Sequence, residues 1–229
     1  MKAMIKIYPE IIFLARQKRL NLGAFKIWFI AKSIDSGNCN IPEKVLIDYL
    51  KSLGISKSRL YAWLHQAEAV GLLKRNGRVC TLASWQRGAA IAGVQHLLRA
   101  VRIPMHRLVH KHWLSWVWAG YLKHFEGNPI ARKTLEKLTG VPERTQQSYE
   151  KNANVRHIEN YADLGTVVGN PRLAIDLYDK SGHYQSGGRI RRRLGNTYIT
   201  KEVQLAHRGR TSQVNSAVRS TTRSMSWAT

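Results

Sequence analysis

The chain has 229 residues, a length that suits two small domains, and 44% of them are apolar, so each half can bury a core. Lys and Arg number 37 against 14 Asp and Glu, a formal charge of +23 at pH 7. The excess is +10 over residues 1–92, +5 over 93–185 and +8 over 186–229. Such a charge points to a polyanionic partner, with nucleic acid first, although charge alone does not separate DNA, RNA and anionic membrane.

Cys39 and Cys80 lie far apart with no CxxC and no nearby His pair, which argues against a disulfide framework or a zinc site and suits a reducing cytosol. No signal peptide is expected, because the apolar Ile11–Ala15 is short and runs into Arg16 and Lys18. The longest apolar run, Trp113 to Leu122, is about half the roughly 20 residues of a membrane span. The expectation is a soluble, cytoplasmic, nucleoid-associated protein without membrane contact.

The spacing predicts helices over 8–19, with Pro9 in the first turn, and over 22–34, apolar at Leu22, Phe25, Trp28, Phe29 and Ile30. Ser36-Gly37-Asn38 breaks the second. A third helix, 42–53, opens at Pro42, is apolar at Val45, Leu46, Tyr49, Leu50 and Leu53, and stops at Gly54. Ile55 and a capping Ser56 then start another helix, 56–70, after a very short connection that forces a steep crossing. That helix buries Leu60, Trp63, Leu64 and Ala67 and shows Lys57, Ser58, Arg59, Ala62, His65 and Gln66, a small, polar and basic face able to approach a groove. After Val70-Gly71, Asn76-Gly77 signals a hairpin with Lys74, Arg75 and Arg78 around its tip, where phosphates run beside the groove.

The pattern recurs after a connection near 93–105. A Trp-rich helix over 110–125 carries Trp113, Trp116 and Trp118, read as core rather than as a platform for unpaired bases. Asn128-Pro129 starts the next helix, apolar at Ile130, Leu135 and Leu138. Gly140 lies 86 residues after Gly54, Val141 matches Ile55 and Tyr149 matches Trp63, an internal duplication whose second reading helix is 142–152 with Arg144, Gln147 and Lys151 exposed. Gln146 and Glu150 stand where the first copy has Leu60 and Leu64. A strand from Val155 to Tyr161, a turn region over 181–188 and the strip Arg189, Arg191, Arg192 and Arg193 make an irregular second hairpin for the phosphate backbone or a narrow minor groove. From about residue 205 a Ser/Thr/Arg-rich tail with Arg208, Arg210, Arg219 and Arg223 suits an arm on phosphates.

Residues Ile41 to Leu82 resemble the winged helix-turn-helix DNA-binding family through Gly54-Ile55-Ser56-Lys57-Ser58-Arg59-Leu60, Val70-Gly71-Leu72-Leu73-Lys74-Arg75 and Asn76-Gly77. Residues Thr134 to Lys151, with Arg191 to Tyr198, are similar to segments of phage and plasmid replication proteins with winged-helix domains. That resemblance implies a replication initiator that binds repeated origin sequences and recruits replication machinery. The expected fold is mainly α with small β hairpins (α+β), as two tandem winged-helix domains, 1–92 and 93–204, and a basic tail, 205–229. The expected partner is double-stranded DNA, and neither cofactor nor metal is expected. Catalysis is not expected: His110-Lys111-His112 has Lys between its imidazoles, and P-loop, HExxH and nucleophile-elbow motifs are missing from the sequence. A transcription regulator and a subunit of a ribonucleoprotein or transposition complex are the alternatives.

Overall fold

A computed structural model of the chain describes residues 4–35, 37–166, 183–186 and 189–206. The alternation of Met4-Ile5-Lys6-Ile7 makes strand β1 (Met4–Ile7), with both isoleucines fully buried. Pro9 opens α1 (Pro9–Gln17), where its missing N–H costs nothing. Asn21 caps α2 (Leu22–Ile34) by accepting the Gly23 and Ala24 amides. Strand β2 (Asn40–Pro42) runs directly into α3 (Glu43–Ser52). Gly54, at φ +78, then swings the chain into α4 (Lys57–Ala69). A hairpin of β3 (Leu73–Asn76) and β4 (Val79–Leu82) follows, and α5 (Trp85–Ala92) ends the first half.

The second half follows a related but different order. It runs through β5 (Val101–Pro104), α6 (Met105–Val109), α7 (Trp113–Leu122) with a 3-10 turn at Lys123–Phe125, α8 (Arg132–Thr139) and α9 (Glu143–Asn152). Strands β6 (Arg156–Thr166), β7 (His183–Ser186), β8 (Arg189–Ile199) and β9 (Gln204–Leu205) complete it. In the first half the sheet order is β2-β4-β3, all antiparallel. In the second it is β6-β8-β7, and a single bridge between Ile130 and Asn196 stands where β2 meets β4. The third sheet, β1-β5-β9, joins the halves, with Ile5 opposite Ile103. Buried side chains of both halves form one continuous core, in which Phe13 of α1 meets Trp118 and Tyr121 of α7 edge-on at 5.5 and 5.6 Å.

The mixed helical and antiparallel character expected from the sequence is present, and several local expectations need correction. The segment 93–105 holds β5, whose Val101 and Ile103 are fully buried, so it is more than a connection. Asn76 pairs with Val79, so the tight turn is Gly77-Arg78, one residue later than the Asn-Gly signal implies; Gly77 sits at φ +60. Ser56 occupies the N-cap of α4 but its side chain makes no capping bond. The helix expected from Asn128 starts at Arg132, because Ile130 is spent on the bridge to Asn196. Val45 and Leu138, taken as apolar helix positions, are exposed. The strand expected to end at Tyr161 continues to Thr166, and β7 occupies the middle of the expected turn region 181–188. Residues 207–229, with Arg208, Arg210, Arg219 and Arg223, lie outside the described residues.

The sequence mismatch at Gln146 and Glu150 has a structural answer. Both are buried, as is Arg132, and the three lie 86 residues after Leu46, Leu60 and Leu64 of the first half, all fully buried. Arg132 makes a bidentate pair with Glu150, Nη1 to Oε1 and Nη2 to Oε2, each at 2.7 Å. Gln146 Nε2 donates to the carbonyls of Arg132 and Val141 at 3.0 and 2.8 Å. The second half therefore holds its helix pair together with a polar cluster where the first half uses leucines.

Candidate nucleic-acid interface

The first half presents α4 with Leu60, Leu64 and Ala67 turned into the core. That orientation leaves Lys57, Ser58, Arg59, Ala62 and His65 exposed, as helical periodicity requires. Gln66 departs from this face: it is half-buried, and its Oε1 is buried without a partner among the described residues. Trp63, expected in the core, is half-buried as well, and its ring faces the Arg59 guanidinium at 5.8 Å.

At the hairpin, Lys74 and Arg78 are exposed. The Arg78 carbonyl accepts the Glu43 amide at 2.8 Å, which ties the turn to the start of α3. Arg75 has a different job from the one its charge suggests. Its Nη2 lies 2.7 Å and its Nε 3.0 Å from Glu68 Oε2, its backbone N–H donates to Glu68 Oε1, and Glu43 Oε1 is 3.7 Å away. These bonds hold the Glu68 carboxyl below the usual carboxylate range. Arg75 thus braces α3, α4 and β3 against one another, and Glu68 is neutralised on the helix that carries Arg59. Lys44 and Lys51, exposed on α3, add basic charge that the sequence reading missed; Lys51 lies 3.9 Å from Asp48.

In the second half Arg144, Gln147 and Lys151 are exposed along α9, at the three- and four-residue spacing that puts them on one face. A cleft of about 470 Å³ separates α9 from β6, lined among others by Gln147, Lys151 and His157 and by Glu143, Glu150 and Glu159. This surface carries both signs of charge, unlike the basic face of α4. Arg189, Arg191, Arg192 and Arg193 all lie on β8, opposite Thr166, Asp163, Ala162 and Tyr161 of β6; their side chains are outside the described residues. At about 3.3 Å per residue the 11-residue β6 extends about 35 Å, against about 13 Å for the four-residue strands of the first hairpin.

Trp116 and Trp118 are buried and Trp113 is half-buried, so these rings pack rather than offer stacking faces. His110 and His112 are exposed ahead of α7, with ring centres 5.5 Å apart and the His112 amide donating to His110 Nδ1. Among the described residues no cluster of three His, Cys, Asp or Glu side chains is placed to hold a metal ion, and no helix is long and apolar enough to cross a membrane. Comparison of the chain with known protein families, curated proteins and solved structures found no match.

Proposed function

We propose that the protein binds duplex DNA sequence-specifically through two tandem winged helices, α3–α4 with the β3–β4 hairpin and α8–α9 with the β6–β8 hairpin. The observation that carries the reading is the first unit. Lys57, Ser58, Arg59 and His65 project from one helix, Lys74 and Arg78 flank it on the hairpin, and its one acidic residue, Glu68, is occupied by Arg75. A helix of that width fits a major groove, and the hairpin cations meet the adjacent phosphates. The second unit has less charge on its helix and a longer hairpin bearing four arginines, which favours phosphate and minor-groove contact there. Two units on one chain suit repeated half-sites about ten base pairs apart, and the resemblance to phage and plasmid replication proteins favours an initiator that binds repeated origin sequences.

Selection from random duplexes near physiological salt, with single-stranded DNA and RNA as competitors, tests this. We expect a defined duplex site, and Arg59→Ala should weaken it by about 1–3 kcal/mol while relaxing its sequence preference. Failure to enrich any duplex, or preference for RNA or single strands, overturns the reading. An array of repeats in the natural target supports initiation, whereas one operator beside a promoter supports transcription control.

A further inference from the structure

One buried cation lies behind the proposed reading helix, and no acid among the described residues pairs with it. Lys26, in the second turn of α2, is only 5% exposed. Its Nζ sits 5.4 Å from the ring centre of Trp63 on α4 and 5.2 Å from that of Trp113, the first residue of α7. No carboxylate among the described residues pairs with it, and the charge that reaches it is that of Arg59. Burying an unpaired ammonium is costly, and two aromatic faces offset only part of that cost. The Trp63 ring has little freedom to adjust: it lies against the Gly23 backbone, where any Cβ would collide with the indole. Arg59 in turn rests over the same ring, 5.8 Å from its centre.

We infer that Lys26 is a positioning residue of the DNA interface: its ammonium, lodged between Trp63 and Trp113, fixes the ring that supports Arg59 and supplies a positive charge that bound phosphate completes. The inference rests on the DNA-binding reading. In the free protein Lys26 and Arg59 repel one another, and no acid among the described residues pairs with Lys26. The phosphates of a duplex read by Arg59 come close to both cations and bring the missing negative charge, so DNA and the Lys26 proton stabilise each other. Because Trp113 opens α7, the same ammonium links the first half's reading helix to the second half.

The geometry also gives a pH signature. Burial first, and Arg59 second, push the Lys26 ammonium down to about 8. Above that pH the free protein loses the proton while the complex keeps it. Binding then takes up a proton, and affinity falls by as much as about tenfold per pH unit. Among the described residues, Arg59 of α4 is the charged group whose field acts on Lys26, and the Trp63 and Trp113 rings against it do not titrate.

The test uses the full chain and a selected duplex, with fluorescence anisotropy from pH 7 to 9 at fixed salt. Wild type should lose about tenfold in affinity across the upper part of that range. Lys26→Arg should bind as wild type does at pH 7 and stay flat with pH, since guanidinium does not titrate there. Lys26→Met should bind about tenfold more weakly at pH 7 with a flat profile. A wild-type protein that binds its site with no fall above pH 8, or a Lys26→Arg variant that keeps the fall, overturns the inference and leaves the DNA-binding reading intact. If Lys26→Met does not fold, the wild-type and Lys26→Arg profiles still decide. Absence of any duplex site overturns both.

Discussion

The exchange of a leucine cluster for a polar one between the two halves can be tested by reversing it. Arg132 and Glu150 are 8% and 5% exposed at their side chains and meet through two 2.7 Å bonds, so removing one partner strands a charge in the core. Glu150→Ala should cost about 3–5 kcal/mol of unfolding free energy for that reason. Replacing Arg132, Gln146 and Glu150 together by leucine copies the equivalent positions Leu46, Leu60 and Leu64 and removes one charge of each sign. The desolvation cost of the pair then disappears with the pair, and the unpartnered Gln146 Oε1 goes with it. Against this stand two carbonyls, of Arg132 and Val141, that lose their Gln146 donor, at about 1–3 kcal/mol for buried acceptors left unmade. The triple variant should therefore fall within about 2 kcal/mol of wild type, far above Glu150→Ala, in urea denaturation followed by circular dichroism at pH 7. A triple variant no more stable than Glu150→Ala would refute the reasoning, because the polar cluster would then carry packing that leucines cannot supply.

Two further outcomes follow from single buried groups. Burial pushes Glu10 up to about 7, although its own amide and that of Leu98 donate to it. The folded state therefore binds more protons than the unfolded chain between about pH 4.5 and 7, and stability contributed by this group falls as pH rises through that window, by about 3 kcal/mol in all. Glu10→Gln should remove that loss and be the more stable protein at pH 8; the same pH dependence in both would sink the assignment. His124, pushed down to about 4 by burial, destabilises the fold as pH falls below about 6.5, but it is common to both proteins and cancels in the comparison. Gly23→Ala should lower the melting temperature, against the usual gain of about 1 kcal/mol for this exchange in helices, because the added methyl meets the Trp63 indole. A rise would mean that the indole moves aside freely.

Much of the first half could be read from local pattern. Residues 22–34, 42–53 and 56–70 have the helical period, the last two stop at Gly54 and Gly71, and the hairpin has its turn residues, so short-range rules suffice there. What escaped depends on partners distant in sequence. Strands β1 and β5 are four residues each, too short to announce themselves, and each exists because the other, nearly a hundred residues away, completes it. Arg75 reads as one more hairpin cation until Glu68 and Glu43 are folded against it. Gln146 and Glu150 look like weak matches to a leucine pattern, and only the arrival of Arg132 from the preceding helix makes them good core residues. Lys26 sits in an apolar run of α2, where nothing in the sequence shows that two tryptophans close over it.

The seam between the halves has a consequence of its own. An antiparallel strand pair is symmetric about its midpoint, so β1 and β5 meet as equals, each offering the other the same kind of edge. In a homodimer built on such a seam, every substitution would appear twice, and both outer faces would change in step. With the two halves on one chain, Leu60 and Gln146 are encoded separately, and a lengthened hairpin on one side imposes nothing on the other. The antiparallel strand pair is kept between the halves, while their two outer faces are free to answer different demands.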